Sequence, residues 1–223
     1  MRKVIAAAFV SLDGVMQAPG GPEEDPTGGF LYGGWTFHYW DDVMGQSMGD
    51  LFNISYDLLL GRKTYEIFAA HWPHLKDDPI ADSFNRVTKY VATRTRQPLT
   101  WQNSVALHDA ARDVERLKQE EGRTLLTQGS SDLLQTLLRE DLIDEFRLLT
   151  FPVVLGRGKK LFGEGTVPKA LNLVSSKVSS TGVAISTYAR VAGAAGEIRT
   201  GSFQLSEPSD AELARRERMK REG

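Results

Sequence analysis

Short apolar runs alternate with segments of helical spacing through most of the chain. Residues 3–10, 56–60, 89–93, 104–107, 124–127 and 145–154 are compact apolar stretches bounded by turn residues, the pattern of strands. Between them lie segments with a helical period. Residues 131–140 carry Leu133, Leu134, Leu137 and Leu138 on one face, and the segment opened by Asp109 turns Val114 and Leu117 inward. Further helices are expected over 37–52, 63–70 and 79–84, the second ended by Trp72-Pro73. Two last strands, near 171–180 and 183–191, meet at Thr181-Gly182 as a hairpin. Strand–helix repeats that finish in an antiparallel pair predict an α/β fold: a mixed, mostly parallel sheet with helices on both faces.

Two stretches fall outside this alternation. Residues 13–34 are rich in Gly, Pro and acids, and a loop this long in a compact domain is usually functional or disordered. After Val191 the composition changes. Gly193-Ala194-Ala195-Gly196 reads as a linker, and 209–221 is highly charged and poor in apolar residues. The expected organisation is one domain over 1–192 and a charged tail over 193–223, able to form an exposed helix.

Composition removes several function classes. With 27 basic and 29 acidic side chains the net charge is −2, which gives no electrostatic case for nucleic acid or an anionic membrane. There is no cysteine, so disulfides, thiolate metal sites and cysteine nucleophiles are excluded. His38, His71, His74 and His108 have no ligand spacing and are expected to be structural or surface residues, so no metal is expected. The apolar start of the chain breaks at Ser11-Leu12-Asp13-Gly14 without a cleavage signal and reads as a buried first strand. No run reaches membrane-spanning length, and the expected location is the cytoplasm.

The candidate chemistry sits at strand–helix junctions. Leu58-Leu59-Leu60-Gly61-Arg62-Lys63-Thr64 runs from an apolar strand through glycine into a helix start. A helix N-terminus offers unpaired N–H groups and roughly half a positive charge, which suits phosphate. A second such junction, Thr127-Gln128-Gly129-Ser130-Ser131, offers close backbone approach. Thr93-Arg94-Thr95 ends another strand, where a threonine and an arginine can grip a ribose 2′-phosphate. Together these suggest a nicotinamide dinucleotide, although no G-x-G-x-x-G set or P-loop is present. Asp13, Asp41 and Asp42 are the candidate acids toward substrate. Asp41 and Asp42 follow the aromatics Trp35, Phe37, Tyr39 and Trp40, which suit a planar heterocycle. An Asp-Gly turn alone also explains Asp13, and an aromatic core also explains the cluster. Gly156-Arg157-Gly158-Lys159-Lys160 reads as a solvated turn, and would give a basic pocket only by folding over the site.

In combination these motifs resemble the dihydrofolate reductase fold: Ser11-Leu12-Asp13-Gly14 after the first strand, Gly61-Arg62-x-Thr64-Tyr65-Glu66, and Gly129-Ser130-Ser131. Leu142-Ile143-Asp144-Glu145-Phe146, Pro152-Val153-Val154-Leu155-Gly156-x-Gly158 and Leu161-Phe162 resemble more closely the branch holding the C-terminal reductase domain of the bifunctional riboflavin-biosynthesis protein. The resemblance covers residues 2–191 and implies a dihydrofolate reductase-like three-layer sandwich, usually a homodimer, that uses NADPH. It implies cofactor contacts from Arg62 and Thr64 to phosphates, Thr93 and Arg94 to the 2′-phosphate, Gly129, Ser130 and Ser131 to the pyrophosphate, and the Ala8 backbone to the nicotinamide carboxamide. The implied substrate is a pyrimidine- or pteridine-like small molecule, with 5-amino-6-(5-phosphoribosylamino)uracil as the best named one. Asp41 is the nearest match to the acid that dihydrofolate reductases carry after the first loop, and Asp13 is the second candidate. A reductase of another heterocycle such as dihydrofolate, or a nucleotide-binding dimeric module without turnover, are the competing readings.

Overall fold

The computed structural model of the protein describes residues 1–163, 166–191, 193–201 and 207–222. Strands β1 (Val4–Ser11), β2 (Tyr56–Gly61), β3 (Lys89–Ala92), β4 (Ser104–Leu107), β5 (Thr124–Gln128), β6 (Glu145–Phe151), β7 (Leu171–Val178) and β8 (Ala184–Arg190) form one eight-stranded sheet. Its order is β4-β3-β2-β5-β1-β6-β8-β7. The pairs from β4 to β6 are parallel, and β8 runs antiparallel to both β6 and β7. The fold is therefore the expected mixed α/β sandwich with an antiparallel closing hairpin.

Alternation along β1 explains the three layers. Val4, Ala6, Ala8 and Val10 point to one face, where they pack with α4 (Ala110–Gln119) and α5 (Ser131–Arg139) through Val114, Leu117, Leu133, Leu134 and Leu137. Ile5 and Ala7 point to the other face. There they meet α1 (Asp42–Phe52), α2 (Arg62–Ala69) and α3 (Pro79–Arg86) through Met48, Leu51, Tyr65 and Phe84. A central strand buried on both faces must be apolar throughout, which is why β1 reads as a continuous hydrophobic run.

The helix expected over 37–52 is divided. Phe37–Tyr39 forms a single 3-10 turn, Trp40 is extended, and α1 begins only after Asp41. Asp41 accepts a hydrogen bond from Met44 N–H at 2.9 Å, so it is the N-cap that starts the helix. In the aromatic cluster, Trp35 and Tyr39 pack edge-to-face on Phe151 and serve the core.

The Gly/Pro-rich loop after β1 is tied down along its length. Trp35 Nε1 donates to Gln17 O at 2.8 Å, and Thr36 Oγ1 donates to Pro19 O at 2.7 Å. Gln17 Nε2 donates to Asp25 O and Thr27 O, both at 2.9 Å. Lys159 bridges to Asp25 at 2.5 Å, fastening the loop to the turn after β6. Val15 pairs with Lys160 beside it, and Gly158, at φ 134°, lies where a Cβ would come within 2.6 Å of Val15 Cγ1. Only glycine fits that close approach.

Part of the tail forms α6 (Asp210–Glu222), a polar helix with no buried residue. Glu212 pairs with Arg215 and Arg216 at i,i+3 and i,i+4. The domain boundary expected at 192 lies outside the described residues.

Candidate active site

A cavity of about 1020 Å³ opens at the carboxyl ends of the parallel strands. Each strand end delivers part of its wall: Ala8 and Phe9 from β1, Gly61 at the β2–α2 junction, Ala92 to Thr95 after β3, and Gln128 to Ser131 at the β5–α5 junction. The tied loop supplies Met16 to Gly20, Glu24 and Asp25, and α1 supplies Met48 and Phe52.

The helices that reach the cavity differ in how their N-termini are capped. Asp41, Asp78 and Asp109 cap α1, α3 and α4 by accepting backbone N–H bonds. The N-termini of α2 and α5, which line the cavity, have no side-chain cap. Their first N–H groups are left for solvent or a ligand. The α2 start also carries Arg62 and Lys63 and has no acid in its first turn. The α5 start has Asp132 in its first turn, which competes with an anion for the helix dipole.

The structure brings Ala8, Arg62, Thr64, Thr93, Arg94, Gly129, Ser130 and Ser131 to this one cavity. Arg62 is already engaged: Nε donates to Glu66 Oε1 at 2.6 Å and Nη1 to Gln97 O at 3.1 Å. Thr93 is buried and accepts from Thr95 N–H at 3.2 Å. Arg94 is exposed and makes no ion pair among the described residues. Gly129 has φ 65° and Ser130 follows at φ 66°, so the chain turns left-handed twice just before α5. The Gln128 Nε2 donor in the same wall is buried without a hydrogen-bond partner.

Asp13 and Asp41, the acids expected to act on substrate, do not line the cavity. Asp13 accepts from Ser11 Oγ at 2.6 Å, Leu155 N–H at 3.1 Å and Gly156 N–H at 2.8 Å. The Ser11 hydroxyl and the Leu155 N–H hold its pKa down at about 2. Asp41 caps α1 and also accepts from Ser180 N–H and Ser180 Oγ, both at 2.7 Å. The Met44 and Ser180 hydrogen bonds lower its pKa. Asp13 holds a turn and Asp41 caps a helix, so the structure does not bring these two carboxylates into the cavity wall.

Other carboxyls line the cavity instead: Glu24, Asp25, Glu66, Asp109 and Asp132. The Glu23-Glu24-Asp25 run in the long loop was the available signal for the first two, and no motif marked them. Burial pushes the Glu24 carboxyl up, against the lowering effect of the Gly20 and Gly21 N–H groups. His108, expected to be structural, is also in the wall, its Nδ1 3.2 Å from Thr93 O. Of the cations in the turn after β6, Lys159 reaches the cavity and Arg157 and Lys160 do not. No group of three or more metal-ligating acids and histidines occurs among the described residues.

Residues 2–185 match the RibD C-terminal domain family. The chain belongs to that family. Among its relatives, the uncharacterized protein YyaP of Bacillus subtilis is 28% identical over 193 residues, covering 84% of this chain and 94% of YyaP. YwjB of the same organism, also uncharacterized, is 29% identical over 180 residues, covering 79% and 91%. Solved structures agree on the fold. A candidate riboflavin biosynthesis protein from Shewanella sp. PV-4 superposes with a TM-score of 0.55 at 23% identity, covering 85% of this chain and 99% of that one. Dihydrofolate reductase from Enterococcus faecalis, solved with NADP(H), gives 0.54 at 17% identity, covering 84% and 96%. A pyrimidine reductase-like protein from Corynebacterium diphtheriae gives 0.56 at 12% identity, covering 86% and 93%. The matched residues 2–185 include every residue of the strand-end cavity wall.

Proposed function

We propose that the protein is an NADPH-dependent reductase that passes a hydride to a pyrimidine- or pteridine-like substrate. The observation that carries this reading is the uncapped N-terminus of α2, set in a strand-end cavity beside two cations. Such a terminus satisfies its orphan N–H groups with phosphate oxygens. The residues present fit a dinucleotide. Arg62, Lys63 and Thr64 would hold the pyrophosphate at α2. Arg94, exposed and without an ion pair, would meet the 2′-phosphate. Gly129 and Ser130 would let backbone approach the cofactor, and the buried Gln128 amide supplies a donor that lacks a partner among the described residues. Asp132 disfavours phosphate at α5, so α2 is the better seat.

When bound, the reduced nicotinamide supplies the hydride. The chain's own part is to hold the ring near Ala8 and seat a planar acceptor against it. Trp40, Met48 and Phe52 give that end of the wall an apolar, partly aromatic surface. Among named activities, reduction of 5-amino-6-(5-phosphoribosylamino)uracil fits the family best. In this reading the protein works in the cytoplasm as a homodimer, with 193–223 as an appendage to the reductase domain.

The test is titration of the purified protein with NADPH and NADH, followed by nicotinamide fluorescence. The expected result is micromolar NADPH binding with weaker NADH binding. Failure to bind either nucleotide overturns the reading.

A further inference from the structure

We propose that Glu24 is the proton donor of this reductase, protonating the nitrogen of a C=N bond in the substrate, within the ring of a dihydropterin or in the ring-opened imine of a ribosylaminopyrimidine, as the adjacent carbon is reduced. The proposal rests on the reductase reading above and deepens it. Reducing a C=N bond takes a hydride and a proton, and a nicotinamide supplies only the hydride. The proton must come from a group in the wall or from water.

The wall offers five carboxyls, which differ in exposure and in whether a cation holds them. Asp25 is paired with Lys159 at 2.5 Å. Burial raises its pKa, but the Lys159 and Thr27 hydrogen bonds outweigh this and the net shift is downward. Glu66 is paired with Arg62 at 2.6 Å. Asp109 accepts the Arg112 N–H as the cap of α4. Asp132 is exposed in the first turn of α5. Glu24 is half-buried and has no ion-pair partner among the described residues. Of the remaining charged or titratable groups in the wall, Lys63 lies at the α2 start, Arg94 after β3 and His108 after β4, on other elements than the Glu24 loop.

The loop fixes this carboxyl in place. Gly20 N–H donates to Glu24 Oε2 at 2.6 Å, closing a five-residue turn on the cavity side. The Lys159–Asp25 bridge and the Gln17 side chain then anchor that turn to the sheet end. The preference for the protonated form has a physical source in burial, to which the neighbouring charge of Asp25 adds. A carboxyl whose pKa is raised by burial and that stands in a reaction cavity is the arrangement a general acid needs.

In the step itself, the acceptor carbon gains hydride from C4 of the reduced nicotinamide, and a C–H bond forms. The π pair of the C=N bond moves to nitrogen, which takes the Glu24 proton: the O–H bond breaks and an N–H bond forms. The cofactor is oxidised by two electrons and the substrate C=N bond is reduced by two. The Glu24 carboxylate recovers its proton from water at the open cavity mouth.

Two measurements on the full chain test this. The first is a 13C carboxyl NMR titration, with the Glu24 signal assigned by its loss in Glu24→Gln. The second is NADPH oxidation against pH, with 7,8-dihydrofolate and 5-amino-6-(5-phosphoribosylamino)uracil as probes. The Gln variant keeps an acceptor for Gly20 N–H, so the loop and NADPH affinity should persist while oxidation falls roughly 10²-fold or more. Glu24→Asp should recover part of the rate. The wild-type rate should be flat at low pH and fall as pH rises through the Glu24 pKa seen by NMR. A carboxyl titrating at or below the ordinary glutamate value overturns the proposal, as does wild-type turnover by Glu24→Gln. NADPH binding without oxidation against either probe overturns the C=N assignment. Absent NADPH binding overturns instead the reductase reading on which the proposal stands.

Discussion

The backbone N–H of Gly61 donates to the side-chain oxygen of Ser130 at 2.9 Å. This bond joins the residue before α2 to the residue before α5, 69 positions later in the chain. It has two effects on the cavity. It fixes the spacing of the two helix N-termini, and it turns the Ser130 hydroxyl away from the α5 N–H groups that it would otherwise cap. Ser130 sits at φ 66°, ψ 50°, a left-handed conformation that suits this inward turn and disfavours ordinary capping.

Ser130→Ala should therefore loosen both the fold and the site. Gly61 N–H would lose its acceptor at a part-buried position, costing about 1–3 kcal/mol. The two helix starts would lose their common tie, so NADPH affinity should fall along with the urea midpoint. A variant with lowered stability but wild-type NADPH affinity would show that the spacing of the two junctions does not matter to binding.

Arg94 and Arg62 should differ in what they discriminate. Arg94 is assigned to the 2′-phosphate, so Arg94→Ala should weaken NADPH while leaving NADH nearly unchanged. A hydrogen bond to a charged group is worth about 1.5–3 kcal/mol, or about 10- to 150-fold in affinity. Arg62→Ala should weaken both nucleotides, because it removes a cation from the α2 start and leaves the Glu66 carboxylate unpaired beside it. Paired fluorescence titrations of both variants separate the two patterns. An equal loss of NADPH and NADH in Arg94→Ala would remove its 2′-phosphate role.

The sequence made the sheet strands and the leucine face of α5 legible because burial on one or both faces imposes a period on the residues. Leu133, Leu134 and Leu137 had to face β1 for the same reason that Val4, Ala6 and Ala8 had to be apolar. Strand order was less legible. β5 enters between β2 and β1, and β8 lies between β6 and β7, placements that depend on tertiary pairing and leave no local mark. The setting of the two acids, outside the cavity wall, was not legible for a different reason. Aromatic neighbours drew attention to Asp41 as a binding group, while its position just before a helix carried the ordinary N-cap signal. Glu24 was not legible because its setting is made at long range. Lys159 and Gln17 fold the loop against the sheet end, and only that folding sets Glu24 in the wall.

Asp41 should behave as a structural residue. Its carboxylate holds Met44 N–H at the start of α1 and the Ser180 N–H and hydroxyl in the turn between β7 and β8. Asp41→Ala should lower thermal stability, while Asp41→Asn, which keeps an acceptor, should lose less. Neither should change NADPH affinity, since the residue does not line the cavity. Loss of NADPH binding in a folded Asp41→Asn variant would return this residue to the site.

Asp13 gives the pH prediction. Its folded pKa is about 2 against an ordinary value of 3.8, because Ser11 and the Leu155 and Gly156 N–H groups favour the charged form. The unfolded chain therefore binds the proton first as pH falls. The contribution of Asp13 to stability is present above pH 3.8 and is lost as pH drops toward 2. Asp13→Asn cannot titrate, so its stability should lack this part of the acid limb. Urea midpoints measured for both proteins from about pH 5 to about pH 2 should converge toward the acid end, with the wild type ahead at pH 5. The side chain ties the turn after β1 to the segment after β6, which also carries Lys159, so the same titration should loosen the anchorage of the Glu24 loop. A gap between the two proteins that stays constant across this range would mean that the Asp13 carboxylate is not held by these donors in solution.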